Sequence, residues 1–305
     1  MTARRKTRKK RVRKNLVRGK RNIFFTVLAI FIFSFFIFFF LNQKYWVSKG
    51  KMFLVSMEKE GSVTVSVFDV SGERVTNINF PADTQVSSAR QYGSWKFKNL
   101  EKLAEDEGVG GKLIAETLRY DFSLPVFIWA KGAGFGFGSD NFVSKLKASL
   151  SFYKTNLSFY DKIRLGLFSF GISGFERENI DLSQNYLRKQ KLIDGTYGYV
   201  GVGDMPAYIY ALFADTDFSQ NPVRVKVVSK SARDIDNRVV KVIEVMGAKV
   251  ASIEDIESEN LDCTVYGDKD FARKLADVFG CEKIKPPKEG FDLEFEYGED
   301  FAKRF

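Results

Sequence analysis

The chain has 305 residues, enough for a membrane anchor and two modest domains that each bury a core. Its formal charge of +10 belongs to one end: residues 1–21 hold twelve Lys and Arg and no acid, and the remainder carries 36 basic against 38 acidic residues, so the folded part has no electrostatic reason to bind nucleic acid. The absence of histidine excludes Ser–His and Cys–His nucleophiles, histidine zinc sites and histidine general bases, which leaves carboxylates, Lys, Arg, Tyr or a bound metal for any chemistry.

Residues 1–22 read as a basic tail, followed by the uncharged run Ile23–Leu41. As a helix that run is ~28 Å long and matches a hydrocarbon core of ~30 Å. The segment after it, LNQKYWVSKG, offers no small-residue cleavage site, so residues 23–41 predict an uncleaved signal anchor, a single transmembrane helix. The positive-inside rule then puts the N-terminus in the cytoplasm and the chain from about Asn42 outside, with Tyr45 and Trp46 at the outer interface of the cell membrane. The tail itself reads as a topology signal attracted to anionic lipid, which makes the bilayer a partner.

Residues 51–138 have an α/β pattern. MFLVSM and SVTVSVFDV alternate as strands, SGER turns the chain, and VTNINF returns as a further strand. Phe97, Leu100, Leu103 and Ala104 are spaced as one helix face, and a second helix from about Gly111 presents Leu113, Ile114 and Leu118. LPVFIWA reads as a short buried strand. The following KGAGFGFGSDN is glycine-rich, but it lacks the Lys and Ser/Thr of a phosphate loop and the GxGxxG spacing, so a plain turn is the expectation.

Residues 139–222 form a middle segment of open assignment. TNLSFYDKIRLGLFSF has helical spacing, and LRKQKLIDGTYGYVGVG reads as a hairpin around Asp194 and Gly195. FADTDF places Asp215 and Asp217 in a DxD pattern that can hold a divalent cation in some sugar-nucleotide transferases; a solvated turn is the expected reading.

Residues 223–305 read as a separate α+β unit. VRVKVVS is a strand, and the next helix carries Ile235, Val239, Val242, Ile243 and Met246 before Gly247. AKVASIED and LDCTVYG are strands, a second helix holds Phe271, Leu275, Val278 and Phe279 before Gly280, and FDLEFEYG is a last strand. The order βαββαβ predicts a ferredoxin-like sandwich. A five-residue strand of ~17 Å and a twelve-residue helix of ~18 Å bring Cys263 and Cys281 to one end of that layer. An oxidising compartment permits a disulfide there, and two buried thiols are the alternative.

The stretch GSVTVSVFDVSGERVTNINFPADT resembles the hairpin and proline-arginine-aspartate-threonine loop of the LytR-CpsA-Psr (LCP) family. Lys96 in SWKFKNL is similar to the lysine of that family's lysine-isoleucine-asparagine segment, and TLRYDFSLPVFIWAKGAGFG to the helix end, strand and glycine-phenylalanine turn that follow. Residues 223–298 resemble the LytR C-terminal domain that many such proteins append. The resemblance implies a cell-envelope protein whose outer domain transfers polymers from a polyprenyl-pyrophosphate carrier onto peptidoglycan, with arginines, aspartates and magnesium holding the pyrophosphate. This chain departs from the pattern. Ala82 stands where the loop arginine is expected, Gly61 or Ser62 where an aspartate precedes the first strand of the hairpin, and the later arginine-rich segment has no counterpart in 141–222.

Two functions follow. One is a noncatalytic binding or scaffolding protein of the envelope, with peptidoglycan or an envelope glycan as partner and no cofactor. The other is an active transferase using magnesium, with Asp83 and Lys96 as the candidate site and Arg90 and Lys98 as further cations.

Overall fold

The computed structural model describes residues 26–31, 33–34, 37, 44–58, 60–220, 223–229, 233–255, 262–288 and 290–305. The basic tail and most of the predicted span lie outside the described residues. Those described within 23–41 are helical, and no helix among the described residues is long and apolar enough to cross a membrane.

In chain order the first unit is β1 (Lys51–Met57), β2 (Val63–Asp69), β3 (Arg74–Phe80), the small pair β4 (Gln85–Ser87) and β5 (Ser94–Lys96), α1 (Phe97–Asp106), α2 (Lys112–Phe122) and β6 (Ile128–Lys131). It continues through α3 (Phe142–Leu150), α4 (Phe159–Gly171), β7 (Arg177–Asp181), α5 (Leu182–Asn185), the hairpin β8 (Leu187–Lys191) and β9 (Tyr197–Gly201) and α6 (Ala207–Phe213); α7 (Thr216–Gln220) follows, with Phe218 packed in the core of the second unit. β1, β2 and β3 are an antiparallel meander, extended by β6 parallel to β1 and β7 parallel to β3. The middle segment therefore supplies an edge strand to the same sheet.

One face of this sheet buries Phe53, Val55, Val65 and Phe80 against Leu100 of α1 and Leu118 of α2. The other buries Met52, Leu54, Phe68 and Val75 against Ala148 of α3 and Leu165 of α4. The polar members of the strand alternation do not face water. Ser66 donates to Asn77 Oδ1 at 2.7 Å, Asn77 Nδ2 donates to Asn179 Oδ1 at 2.9 Å and Gly138 O at 3.1 Å, and Thr64 donates to Asn79 Oδ1 at 2.8 Å. Covering both faces favours polar pairing, because a buried polar group without a partner costs about 1–3 kcal/mol, a cost met here at Ser56 Oγ of β1.

The second unit is β10 (Arg224–Ser229), α8 (Arg233–Val245), β11 (Lys249–Asp255), β12 (Cys263–Gly267), α9 (Lys269–Phe279), β13 (Lys283–Lys285), β14 (Leu293–Tyr297) and α10 (Glu299–Arg304). Its helices and long strands fall where the apolar spacing puts them, but the sheet is not the ferredoxin-like one. The order is β11-β10-β14-β12-β13, with β10 parallel to both β11 and β14, and β12 parallel to β13. A ferredoxin-like sheet splits its βαβ unit and is antiparallel throughout. Here α8 returns the chain directly beside β10, and the three-residue strand β13 takes the edge next to β12, leaving β14 to pair antiparallel with β12 at the centre. Val225, Val242, Leu275, Phe279 and Phe295 fill the core. Cys263, at the start of β12, and Cys281, just past α9, are joined by a disulfide with 5.3 Å between their Cα atoms.

Candidate functional site

The loop after β3 is built by backbone bonds from three directions. Thr84 N bonds to Pro81 O at 3.0 Å and closes the turn, Phe97 N and Lys98 N at the head of α1 bond to Thr84 O and Ala82 O at 3.0 Å each, and Tyr199 N of β9 bonds to Asp83 O at 3.1 Å. Proline ends the strand because it has no N–H for the ladder.

This framework brings Asp83, Lys96 and Lys98 together. Lys98 Nζ lies 2.6 Å from Asp83 Oδ1, and Lys96 Nζ lies 4.0 Å from it. Lys96 is turned chiefly to the β8–β9 hairpin, donating to Thr196 Oγ1 at 2.5 Å and Tyr197 O at 3.2 Å. Asp194 accepts from the Thr196 hydroxyl at 2.7 Å and its N–H at 2.9 Å, and these bonds hold the Asp194 carboxyl below the ordinary carboxylate range. Two ammonium groups thus face two carboxylates and their acceptors, and the cluster has no surplus cation.

Arg90 is not part of it. Its guanidinium makes a forked pair with Glu116 of α2, 2.6 Å from Nε to Oε2 and 3.0 Å from the second nitrogen to Oε1. The hydrogen bond that Arg90 donates to Glu116 raises the already high pKa of Arg90. Gly61, at φ 84°, has no room for the aspartate of the LCP pattern, since a Cβ there would lie 2.5 Å from Lys98 Cα. Beneath the loop, Phe80, Phe97 and Phe122 fill the interior, with ring centroids 4.9 Å apart for Phe80–Phe122 and 5.5 Å for Phe80–Phe97.

The glycine-rich segment folds as a short 3₁₀ turn over 132–137 that presents carbonyls rather than amides to its neighbours. Phe137 O accepts from Ser169, and Gly138 O accepts from Asn77 and Arg177. Gly138 is required by close approach, because a Cβ would sit 2.3 Å from Asn77 Oδ1. Arg177 is committed to this loop and to Asp140, 2.9 Å from its Nε.

A magnesium ion needs several oxygen ligands. The residues present do not fit it: Lys98 occupies Asp83, and among the described residues no group of three or more His, Cys, Asp or Glu could hold a metal. Asp215 is 2.8 Å from Lys274 of α9, and the Asp217 side chain lies outside the described residues.

Sequence reasoning missed a cleft of about 690 Å³ where the first unit meets α9, lined by Lys44, Tyr45, Lys51, Phe127, Arg273 and Asp277 among others. Lys51 Nζ reaches Leu212 O at 2.9 Å. Burial lowers the Lys51 pKa and raises that of Asp277. The signal lay in the polar face of α9, at 270, 273, 274 and 277.

No family model matches the chain, and no curated protein matches it. Among solved structures it is similar to B. subtilis TagT, at 14% identity over 52% of this chain and 88% of TagT, with a TM-score of 0.37. It is also similar to the Lin1025 protein from Listeria innocua, at 12% identity over 50% and 92% with a TM-score of 0.36, and to B. subtilis TagV, at 10% identity over 67% and 100% with a TM-score of 0.37. A likeness of this degree assigns no family and no chemistry to the chain.

Proposed function

We propose that this chain is a membrane-anchored, extracytoplasmic protein of the bacterial cell envelope, related to LCP proteins, that binds or scaffolds rather than transfers polymer. The state of Asp83 carries the reading. A pyrophosphate leaving group needs cations that are unspent before it arrives, and here Lys98 is 2.6 Å from Asp83 while Lys96 is held by Thr196 and Tyr197. Ala82 offers a methyl group where the resembling loop has an arginine. Losing one preorganised charged group costs ~100-fold or more in rate, and this chain lacks several.

The aromatic filling beneath the loop supports the same reading, because a polyprenyl tail needs an open apolar channel. Binding has a natural place in the cleft between the units, whose volume lies within the ~300–1,000 Å³ common for ligand sites.

The test is to incubate the full chain in mild detergent with a labelled polyprenyl-pyrophosphate glycan, peptidoglycan and magnesium. The expected result is retention of the protein on peptidoglycan without transfer of label. Transfer that disappears in Asp83→Ala would overturn the noncatalytic reading, and absence of retention would count against wall binding.

A further inference from the structure

The helices α3 and α4 pack Ala148, Tyr160 and Leu165 toward the sheet and carry a second set of apolar residues on the side turned away from it. α3 turns Phe142, Val143, Leu146 and Leu150 outward, Val143 at 68% exposure, while Lys145, Ala148 and Ser149 are buried. α4 buries Tyr160 and Leu165 together with Asp161, Lys162 and Ser169, and leaves Leu167 exposed, with Ile163 and Phe170 partly so on the same side. A helix facing water carries its apolar stripe inward.

The two outward stripes form one surface. Phe142 and Phe170 are in contact at 5.1 Å between ring centroids, and the helices approach so closely that a Cβ on Gly166 would lie 2.0 Å from Ser149 Oγ. Phe152, in the connection between them, is fully exposed beside the exposed Lys154. Contiguous exposed apolar surface of this kind marks an interaction face.

The position of this face identifies its occupant. Backbone amides of Lys44, Tyr45 and Trp46 all donate to Asp161 Oδ1, at 3.3, 3.1 and 2.9 Å, and the Trp46 ring lies 6.2 Å from that of Phe168. Lys44 is three residues past Leu41, a reach of at most ~10 Å. The Asp161 carboxylate in the first turn of α4 is therefore tied within ~13 Å of the end of the apolar run, and amphipathic helices bury their apolar face ~5–10 Å into the headgroup and acyl boundary.

We infer that the α3–α4 hairpin lies in the outer-leaflet interface of the bilayer, with the Phe142, Val143, Leu146 and Leu167 face among acyl chains and Lys147 and Lys154 at its headgroup rim. The inference rests on the reading that residues 23–41 span the membrane. It fixes the orientation of the outer region, so that the chain is held by a helix and by a second, monotopic contact.

The experiment uses the full chain in phosphatidylcholine–phosphatidylglycerol vesicles, with a fluorophore at Val143→Cys or, as control, at Ile193→Cys on the exposed β8–β9 hairpin. Both native cysteines are disulfide-bonded and leave the introduced thiol as the site of labelling. The expected result is severalfold stronger quenching by nitroxide-labelled lipid at 143 than at 193, with 143 shielded from aqueous iodide. Vesicle-retained protein whose 143 label meets iodide as freely as the 193 label would overturn this inference alone. Shielding from iodide without lipid quenching would also overturn it and would assign the face to protein. Loss of the protein from vesicles on alkaline washing would overturn the spanning reading, and this inference with it.

Discussion

At the scale of single residues, burial separates the Asp83–Lys98 pair from the Arg90–Glu116 pair. Asp83 and Lys98 are both about half exposed, so their attraction is screened by water and is worth ~0–1 kcal/mol. Glu116 is 2% exposed, and Arg90 is its principal partner, with Lys112 3.4 Å away at the surface. Removing Arg90 strands a buried carboxylate, a change that costs ~3 kcal/mol or more when nothing replaces the partner. Urea denaturation of the full chain in mild detergent is expected to show Asp83→Ala within ~1 kcal/mol of the parent and Arg90→Ala destabilised by about 2–4 kcal/mol, part of the loss being offset by Lys112. Equal effects would mean that Asp83 has a structural load that its exposure does not explain. The sequence showed that Asp83, Lys96 and Lys98 were close along the chain. It could not show that Thr196, a hundred positions away, takes the Lys96 ammonium, because that bond depends on where the β8–β9 hairpin docks.

At the scale of elements, periodicity was readable wherever one face alone is apolar. α1, α2, α8 and α9 have such stripes, and the residues that the spacing marks out are buried or, for Leu103, Ile235 and Phe271, half-buried against the core. Pairing was not readable: βαββαβ is compatible with several sheet orders, and β13 is too short to leave an alternating pattern. α3 and α4, apolar on both sides, also hid their meaning, since helical spacing does not say which of two apolar stripes faces the sheet. The disulfide acts at this scale, closing a loop of sequence separation 18 between β12 and the end of α9. Restricting the unfolded chain over such a loop is worth about 3 kcal/mol. Cys263→Ser with Cys281→Ser is expected to lower the stability of the second unit by about 2–4 kcal/mol, read as a shift of the far-UV circular dichroism midpoint in urea; an unchanged midpoint would show that the bridge adds nothing to the packed core.

At the scale of the whole molecule, α2 is one of the elements that fasten the two units, beside Val245 of α8 in the first core. Its Tyr120 carbonyl accepts from Arg238 of α8 at 2.7 Å, with the guanidinium 4.2 Å from the Tyr120 ring. Its Arg119 is buried and donates to Val278 O in the last turn of α9, while Arg304 donates to Phe279 O at 2.9 Å. Carbonyls at a helix C-terminus have no partner within the helix and favour cations, so one of the two arginines that complete α9 comes from the other unit. Burial brings the Arg119 pKa down to about 10, still far enough above neutrality to keep it charged. Arg119→Ala would therefore remove a bond that exists only while the units are docked. Trp46, Trp95 and Trp129 all precede the second unit and report the first, whereas circular dichroism reports both. In the parent chain the two signals are expected to change together in urea. In Arg119→Ala the dichroism is expected to begin its loss at lower urea than the tryptophan signal, as the second unit melts ahead of the first. Coincident transitions at the parent midpoint would show that the Arg238–Tyr120 contact and the packing of Val245 in the first core hold the units together without Arg119.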